Sequence, residues 1–290
     1  MKTTLCLAVV LVGLSPPARA GSPGAVSGSA TSPDGVLIRY DAAGKGDPAL
    51  VLVHCGGCNR GFWDGQMAYF AAKHRVVALD LAGHGQSGGG RKDWTMAAFG
   101  QDVVSVVEGL GLKRVVLIGH SLGGPAVLEA ARRMPGQVAG LVLVDSWVDF
   151  EQRFPAEEVE KYVSALQADY RATTTAMVSQ YLFSASTPEP VKAHVLEMVL
   201  SGPPEIGVAI TRSSLAYSPL PALREIKAPI RAISSDLFPT NLEGNRKYVP
   251  SYQAAIMKGV GHYLMLEQPE AFNELLASAL RELARSRGGR

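Results

Sequence analysis

The chain has 290 residues, of which 47% are hydrophobic and 19% are charged. This composition is typical of a globular protein with one large or two small domains, and it excludes collagen, a coiled coil and a wholly disordered chain. The 28 basic and 26 acidic residues give a formal charge of +2. So balanced a chain carries no electrostatic signature of a nucleic-acid partner.

Residues 1–20 have the pattern of an export signal. Lys2 precedes an apolar run from Leu5 to Leu14, and Ala18 and Ala20 flank an arginine in the small-x-small form of a cleavage site. The run falls well short of the roughly twenty apolar residues that span a bilayer. We therefore predict a signal peptide, a periplasmic or secreted mature protein, and no membrane span in the mature chain.

Residues 21–32 are rich in Gly, Ser and Ala and are predicted to form a flexible linker. Short continuous runs of Val, Leu and Ile then recur, with helix-like segments between them. Continuous apolar runs are typical of strands buried on both faces of a parallel sheet. We predict an α/β core over residues 33–145 and 226–290, with strands at Val36–Tyr40, Leu50–Val53, Val76–Leu79, Val115–Ile118, Leu141–Val144, Ile230–Ile233 and Ala254–Met257.

Residues 146–225 lack strand signals and are predicted to be a helical insertion. Helical patterns cover Glu157–Thr173, Pro190–Leu200 and Glu205–Leu215. The apolar side chains of such a unit can simply pack it together. Because insertions in α/β sheets tend to lie where ligands bind, we expect a cap over a site. Outside the insertion, the clearest helix starts after Thr95, and the last one starts at Pro269.

A candidate nucleophile lies where one of these strands meets a helix. The strand Val115–Ile118 leads into Gly-His-Ser-Leu-Gly-Gly, and an Ala-containing helix follows. Glycines two residues before and after Ser121 allow the sharp, strained turn that exposes a nucleophilic hydroxyl. The same turn directs the Leu122 amide and the start of the helix towards the place where an oxyanion would form.

At these residues the chain resembles the α/β-hydrolase superfamily, in the branch with a cap between the sixth and seventh core strands. His54-Cys-Gly-Gly57 is similar to the family's His-Gly turn, and Asp80-Leu-Ala-Gly-His-Gly-Gln-Ser87 to its next loop. Gly261-His262, followed by Glu267 and Pro269, is similar to its histidine loop. The resemblance extends from Gly35 to Leu280, and it implies the α/β-hydrolase fold.

A serine hydroxyl needs a base to take its proton and a carboxylate to orient that base. His262 is the expected base because its loop follows a late strand and lies at the carboxyl edge of the sheet. Asp236 is the expected carboxylate, since it follows the strand Ile230–Ile233 and gives the chain order Ser, Asp, His. Asp145 is the alternative because some family members carry their acid after the preceding strand.

The resemblance implies that the backbone amides of Gly56 and Leu122 stabilise the oxyanion. Cys55 stands where the family usually has glycine, so the resemblance does not determine the backbone path of this turn or which of its amides faces the oxyanion. Cys55 and Cys58 are expected either to form a structural disulfide or to remain free thiols. His54 adds too few ligands for a zinc site, so no metal is predicted.

Together these features predict a cofactor-free serine hydrolase that cleaves carboxylic esters of small or medium apolar acyl groups. Perhydrolysis and carbon–carbon bond hydrolysis use the same triad and remain alternatives. A third alternative is a ligand-binding protein on this fold that does not turn over its ligand. The expected partner is a small-molecule ester, and the sequence does not indicate an oligomeric state.

Overall fold

The computed structural model describes residues 24–285. One sheet of eight strands runs through it in the spatial order first, second, fourth, third, fifth, sixth, seventh, eighth. The second strand pairs antiparallel with its neighbours, and the remaining pairs are parallel. The predicted mostly parallel sheet is confirmed. In chain order the strands are β1 (Val26–Thr31), β2 (Leu37–Ala43), β3 (Ala49–Val53), β4 (Val76–Leu79), β5 (Val115–His120), β6 (Val138–Val144), β7 (Ile230–Ser235) and β8 (Gln253–Met257).

Strand β1 lies inside the segment 21–32 that was predicted to be a flexible linker, and that prediction is wrong for residues 26–31. The strand pairs antiparallel with β2, from Val26 opposite Ala42 to Thr31 opposite Leu37. Backbone hydrogen bonds of an edge strand need little apolar burial, so a Gly- and Ser-rich segment can form one. Residues 21–23 and the predicted signal peptide lie outside the described residues.

The sheet is buried on both faces. Successive residues of a strand point to opposite sides. Val51 and Val53 of β3 therefore belong to one apolar cluster, and Leu50 and Leu52 to the other. Helices α2 (Met96–Gly109) and α3 (Gly123–Arg133) pack in the first cluster, and α1 (Asp64–Phe70) and α11 (Pro269–Arg285) pack in the second. This double burial explains the continuous apolar runs in the sequence.

The predicted start of α2 after Thr95 is confirmed. The Thr95 hydroxyl accepts a 3.1 Å hydrogen bond from the Ala98 amide and so caps the helix. Two short helices, α9 (Leu242–Tyr248) and α10 (Leu264–Glu267), flank β8, and a 3₁₀ turn covers Arg60–Trp63.

Five helices connect β6 to β7, and we call them the inserted helices. The helix predicted over Glu157–Thr173 is in fact two helices, which meet at Asp169. The Asp169 carboxylate accepts a 2.9 Å hydrogen bond from the Ala172 amide, so it caps the second of them. The inserted helices are α4 (Ala156–Ala168), α5 (Tyr170–Met177), α6 (Glu189–Val199), α7 (Pro204–Ala216) and α8 (Leu220–Glu225), with a π turn at Val178–Leu182.

Within residues 24–285, no helix combines the length and the apolar composition that a membrane crossing requires.

Candidate active site

Ser121 lies at the turn between β5 and α3 with a φ of +52°. A serine rarely adopts this left-handed conformation, and here hydrogen bonds on both sides hold it. The Ser121 amide donates to the Val144 carbonyl at 3.0 Å. The Ser121 carbonyl accepts from the Gly124 amide and the Ser146 hydroxyl, each at 2.9 Å. The turn therefore presents the serine in a fixed, strained conformation.

Glycines surround this turn because the backbone leaves no space for a side chain. A Cβ at Gly119 would collide with the Gly123 carbonyl, and one at Gly123 would collide with the Val53 carbonyl. A Cβ at Gly124 would overlap the Ser146 hydroxyl. The Gly-x-Ser-x-Gly pattern thus follows from the close approach of β3, β5 and α3.

His262 lies in the loop between β8 and α10. Its Nδ1 is 2.6 Å from Asp145 Oδ2. An ionised carboxylate can only accept, so Nδ1 donates and Nε2 is left as the basic nitrogen. The backbone amide of His262 also donates to the Leu182 carbonyl at 2.8 Å, which ties the histidine loop to the inserted helices.

The Asp145 carboxylate, just after the end of β6, is largely buried, with 7% of its side chain exposed. Burial by itself would raise the pKa of Asp145, but the hydrogen bond from His262 and the electrostatic interaction with its ring outweigh that effect and hold the pKa of Asp145 below its ordinary value. The Ser235 amide and hydroxyl donate to Asp145 Oδ1 at 2.8 and 3.0 Å. Asp145 is therefore held as a carboxylate that faces the histidine.

Asp236 does not make the histidine contact that the sequence predicted for it. Its side chain is exposed, and Oδ1 accepts a 2.9 Å hydrogen bond from the Gly259 amide. The reason is the alternation at the end of β7: Ser235 points at Asp145, so the next residue points elsewhere. The carboxylate that contacts His262 is the alternative, Asp145.

The turn after β3 brings Gly56 next to Leu122, the residue that precedes α3. A Cβ at Gly56 would lie 3.6 Å from a Leu122 methyl group, so the two residues are neighbours. Cys55 and Cys58 form a disulfide across this turn. The two cysteines lie on either side of Gly56 in the chain, and they pack in an apolar cluster with Val195 and Val199 of α6. The question that the sequence left open about these cysteines is answered by a bridge.

A buried ion network holds the next residues of this loop. Arg60 Nε donates to Asp41 Oδ2 at 2.8 Å, and the guanidinium also pairs with Asp80. Asp80 in turn accepts from the backbone amides of Arg60 and Gln86 at 2.7 and 2.8 Å. The loops after β3 and β4 are thereby fixed to each other, and with them the position of the Gly56 turn.

Ser121 and His262 line one cavity of about 810 Å³ together with Gly56 and Leu122. Its remaining walls come mainly from the loop after β4 and from inserted helices α4, α5 and α7. This volume is in the range of small-molecule sites. The structure thus brings together four of the five site residues predicted from the sequence, with Asp145 in place of Asp236.

The sequence profile of the "Alpha/beta hydrolase family" matches residues 50–275. The chain belongs to this family. It has the α/β-hydrolase fold, an eight-stranded, mostly parallel sheet flanked by helices.

The proteins that are similar to this α/β hydrolase carry different functional descriptions. An uncharacterized protein of Mycobacterium tuberculosis is 39% identical over 107 residues, which are 37% of this chain and 31% of that protein. The chain therefore spans about a third of the length of such curated relatives. A thermophilic esterase from Thermogutta terrifontis has a TM-score of 0.77 and 26% identity, and the match covers 89% of this chain and 98% of the esterase. Est816, described as an N-acyl homoserine lactone degrading enzyme, has a TM-score of 0.75 and 25% identity over 87% of this chain and 99% of its own.

Three other histidines near the site of this α/β hydrolase are buried and neutral. His54 Nδ1 donates to the Cys55 carbonyl at 2.7 Å while Nε2 accepts from the Leu81 amide, and burial lowers its pKa to about 4. His120 Nε2 donates to the His262 carbonyl at 2.9 Å, and burial lowers its pKa to about 3. His84 donates to the Ala82 carbonyl, and burial lowers its pKa to about 3. These side chains fix loops, whereas His262 faces a carboxylate and a cavity.

Between residues 24 and 285, no three His, Cys, Asp or Glu side chains converge in a way that could hold a metal ion.

Proposed function

We propose that this α/β hydrolase is a serine hydrolase that cleaves carboxylic esters. The observation that carries the proposal is the 2.6 Å contact between His262 Nδ1 and Asp145, in a cavity that Ser121 also lines. Ser121 is the nucleophile, His262 is the general base, and Asp145 holds the histidine in the Nδ1–H tautomer. The esterase and lactone-degrading relatives, which match over most of this chain, support the same class of chemistry.

In the first half of the reaction, His262 Nε2 takes the proton of the Ser121 hydroxyl as the oxygen attacks the acyl carbonyl. The amides of Leu122 and Gly56 stabilise the negative charge that develops on the carbonyl oxygen. His262 then gives the proton to the departing alkoxide, which leaves an acyl-enzyme. In the second half, His262 activates water, and hydrolysis releases the acid and regenerates Ser121.

Esters are the proposed substrates because an alkoxide leaves more easily than an amine and because the walls of the cavity are mainly apolar. The proposal is tested by initial-rate hydrolysis of chromogenic esters with two, four, eight and twelve acyl carbons. Sustained turnover is expected, with a maximum at a short or medium chain. Release that stops after one equivalent would instead indicate the ligand-binding alternative, and no release from any ester would direct attention to carbon–carbon bonds or perhydrolysis.

We also propose that the protein is exported, on the strength of residues 1–20 alone. Amino-terminal sequencing of protein recovered from the periplasm or the medium is expected to begin at Gly21. Recovery of the full-length chain from the cytoplasm would contradict export.

Ser235 is expected to position the triad carboxylate. Replacing it by alanine removes one of the two donors to Asp145 Oδ1 and is expected to lower kcat/KM by about tenfold, because the carboxylate is then less firmly oriented. Ser235→Thr keeps the hydroxyl and is the matched control, with an expected loss of less than about threefold. Equal kcat/KM for wild type and Ser235→Ala would show that this hydroxyl does not assist the triad.

The Cys55–Cys58 disulfide is expected to hold the Gly56 amide in place. Reduction by a dithiol, monitored by thiol counting, is expected to lower ester hydrolysis by about tenfold, less than the roughly 10²–10³ lost with an entire oxyanion donor. The double variant Cys55→Ala/Cys58→Ala is expected to show the same reduced rate and no further response to dithiol. Full activity with both thiols demonstrably free would refute this role.

A further inference from the structure

The cavity that Ser121 and His262 line carries almost no formal charge. Among residues 24–285, no lysine or arginine lines it, and the only acidic residue that does so is Glu158, which is exposed. The two histidines of the lining are His262, which the proposed mechanism uses, and His84, which burial keeps neutral. A carboxylate brought into this space would find no cationic partner.

The part of the cavity formed by the inserted helices is lined with hydroxyl groups set among apolar side chains. Tyr170 and Thr174 both line the cavity from α5, one helical turn apart, and Thr174 is buried. The Tyr170 hydroxyl lies against α7, where a Cβ at Gly207 would overlap it. The hydroxyl-bearing residues of the lining that come from α4, α5 and α7 are Tyr162, Tyr170, Thr174, Thr211 and Ser214.

Hydroxyl groups donate and accept hydrogen bonds but cannot neutralise an ion. Moving a carboxylate from water against mainly apolar walls without a counter-charge is costly, whereas a neutral hydroxyl or ester group needs only hydrogen-bond partners. The apolar neighbours of the hydroxyls, among them Leu166 and Ile210, fit the methylene groups of an acyl chain.

We propose that this site acts on uncharged acyl groups of medium length that carry a neutral hydrogen-bonding group, such as a hydroxyl, away from the scissile bond. The proposal rests on the proposed function, because it specifies the substrate of the same serine site. It makes two separate claims: anionic acyl groups are rejected, and a neutral polar group is recognised at α5.

The first claim is tested with three chromogenic esters of an eight-carbon acyl chain. One ends in a methyl group, one in a free carboxylate, and one in that carboxylate capped as its methyl ester. The kcat/KM for the capped substrate is expected to lie within about tenfold of that for the chain ending in a methyl group. The kcat/KM for the free carboxylate is expected to be at least about 100-fold lower than that for the capped substrate. Similar kcat/KM for the free and capped carboxylates would overturn the claim. Failure on the plain chain as well would instead count against the proposed function.

A cation placed in the lining is expected to weaken this selection against the free carboxylate. Thr211 lies on α7, is half-buried and lines the cavity. Thr211→Lys is expected to raise the ratio of kcat/KM for the free carboxylate to that for the capped ester by at least about tenfold. Ala216→Lys adds the same charge to an exposed position of α7 outside the lining and is expected to leave the ratio unchanged. An equal rise in both variants would show a general effect of protein charge and overturn the inference.

The second claim is tested at Tyr170. Tyr170→Phe removes one hydroxyl and keeps the ring, and it is expected to lower kcat/KM for a chain hydroxylated near its middle by about tenfold. The ratio of kcat/KM for the hydroxylated chain to that for the unsubstituted chain is therefore expected to fall by about tenfold. If both substrates lose activity equally, or if neither does, Tyr170 does not recognise a polar group and the second claim is wrong.

Discussion

Replacing Ser121 by alanine is expected to lower kcat/KM for a chromogenic ester by a factor of roughly 10³ or more. The variant loses the atom that forms the acyl-enzyme but keeps the cavity, the histidine and the oxyanion donors. Any residual rate would come from water attacking an ester that is merely bound. The measurement is steady-state release of the chromophore by wild type and variant at equal concentration.

The matched control for this prediction is Ser105→Ala. Ser105 lies on α2, and its hydroxyl donates to the Gln101 carbonyl one helical turn earlier, so its loss should leave kcat/KM within about twofold of wild type. Circular dichroism and thermal unfolding establish that both variants fold. Comparable kcat/KM for Ser121→Ala and wild type would remove the serine from the mechanism.

Replacing Asp145 by asparagine is expected to lower kcat/KM by roughly 10³–10⁴, since the amide can donate to His262 Nδ1 and so favour the wrong tautomer. The matched variant, Asp236→Asn, changes an exposed carboxylate whose partner is the Gly259 amide. It is expected to retain kcat/KM within about threefold of wild type. The two substitutions remove the same charge from adjacent strand ends, so the pair isolates the contact with the histidine.

The reverse pattern, with Asp236→Asn inactive and Asp145→Asn active, would restore the assignment predicted from the sequence. Such a result would require the histidine loop to change partners when substrate binds. Equal, small losses in both variants would mean that no carboxylate orients His262 during catalysis.

The parts of the fold that depend on local patterns were predictable. Strands buried on both faces must be apolar throughout. The continuous apolar runs at Leu50–Val53 and Val115–Ile118 therefore located two of the strands in the sequence. The turn at Ser121 was predictable for a related reason. Backbone collisions around Gly119 and Gly123 exclude every other residue type, so the sequence pattern follows directly from the sterics.

The predictions that were wrong concern residues whose contacts are made with partners distant in sequence. β1 forms because its backbone groups pair with those of β2. The Gly- and Ser-rich composition of β1 does not predict that pairing. Asp145 and Asp236 both follow buried strands, so the local pattern could not distinguish them. Which one meets His262 depends on the direction of the side chain at each strand end, and only the three-dimensional structure gives that direction.

The proposed mechanism requires Ser121 to be the nucleophile of an acyl-transfer reaction. Its most direct test is to treat the protein with an alkyl fluorophosphonate, whose phosphorus reacts with an activated serine, and to measure the intact mass and map the modified peptide. We expect one adduct per chain, on Ser121, with none on Ser121→Ala and a loss of ester hydrolysis in proportion to labelling. Hydrolysis that persists in fully labelled protein, or an adduct on a different residue, would contradict the proposed mechanism.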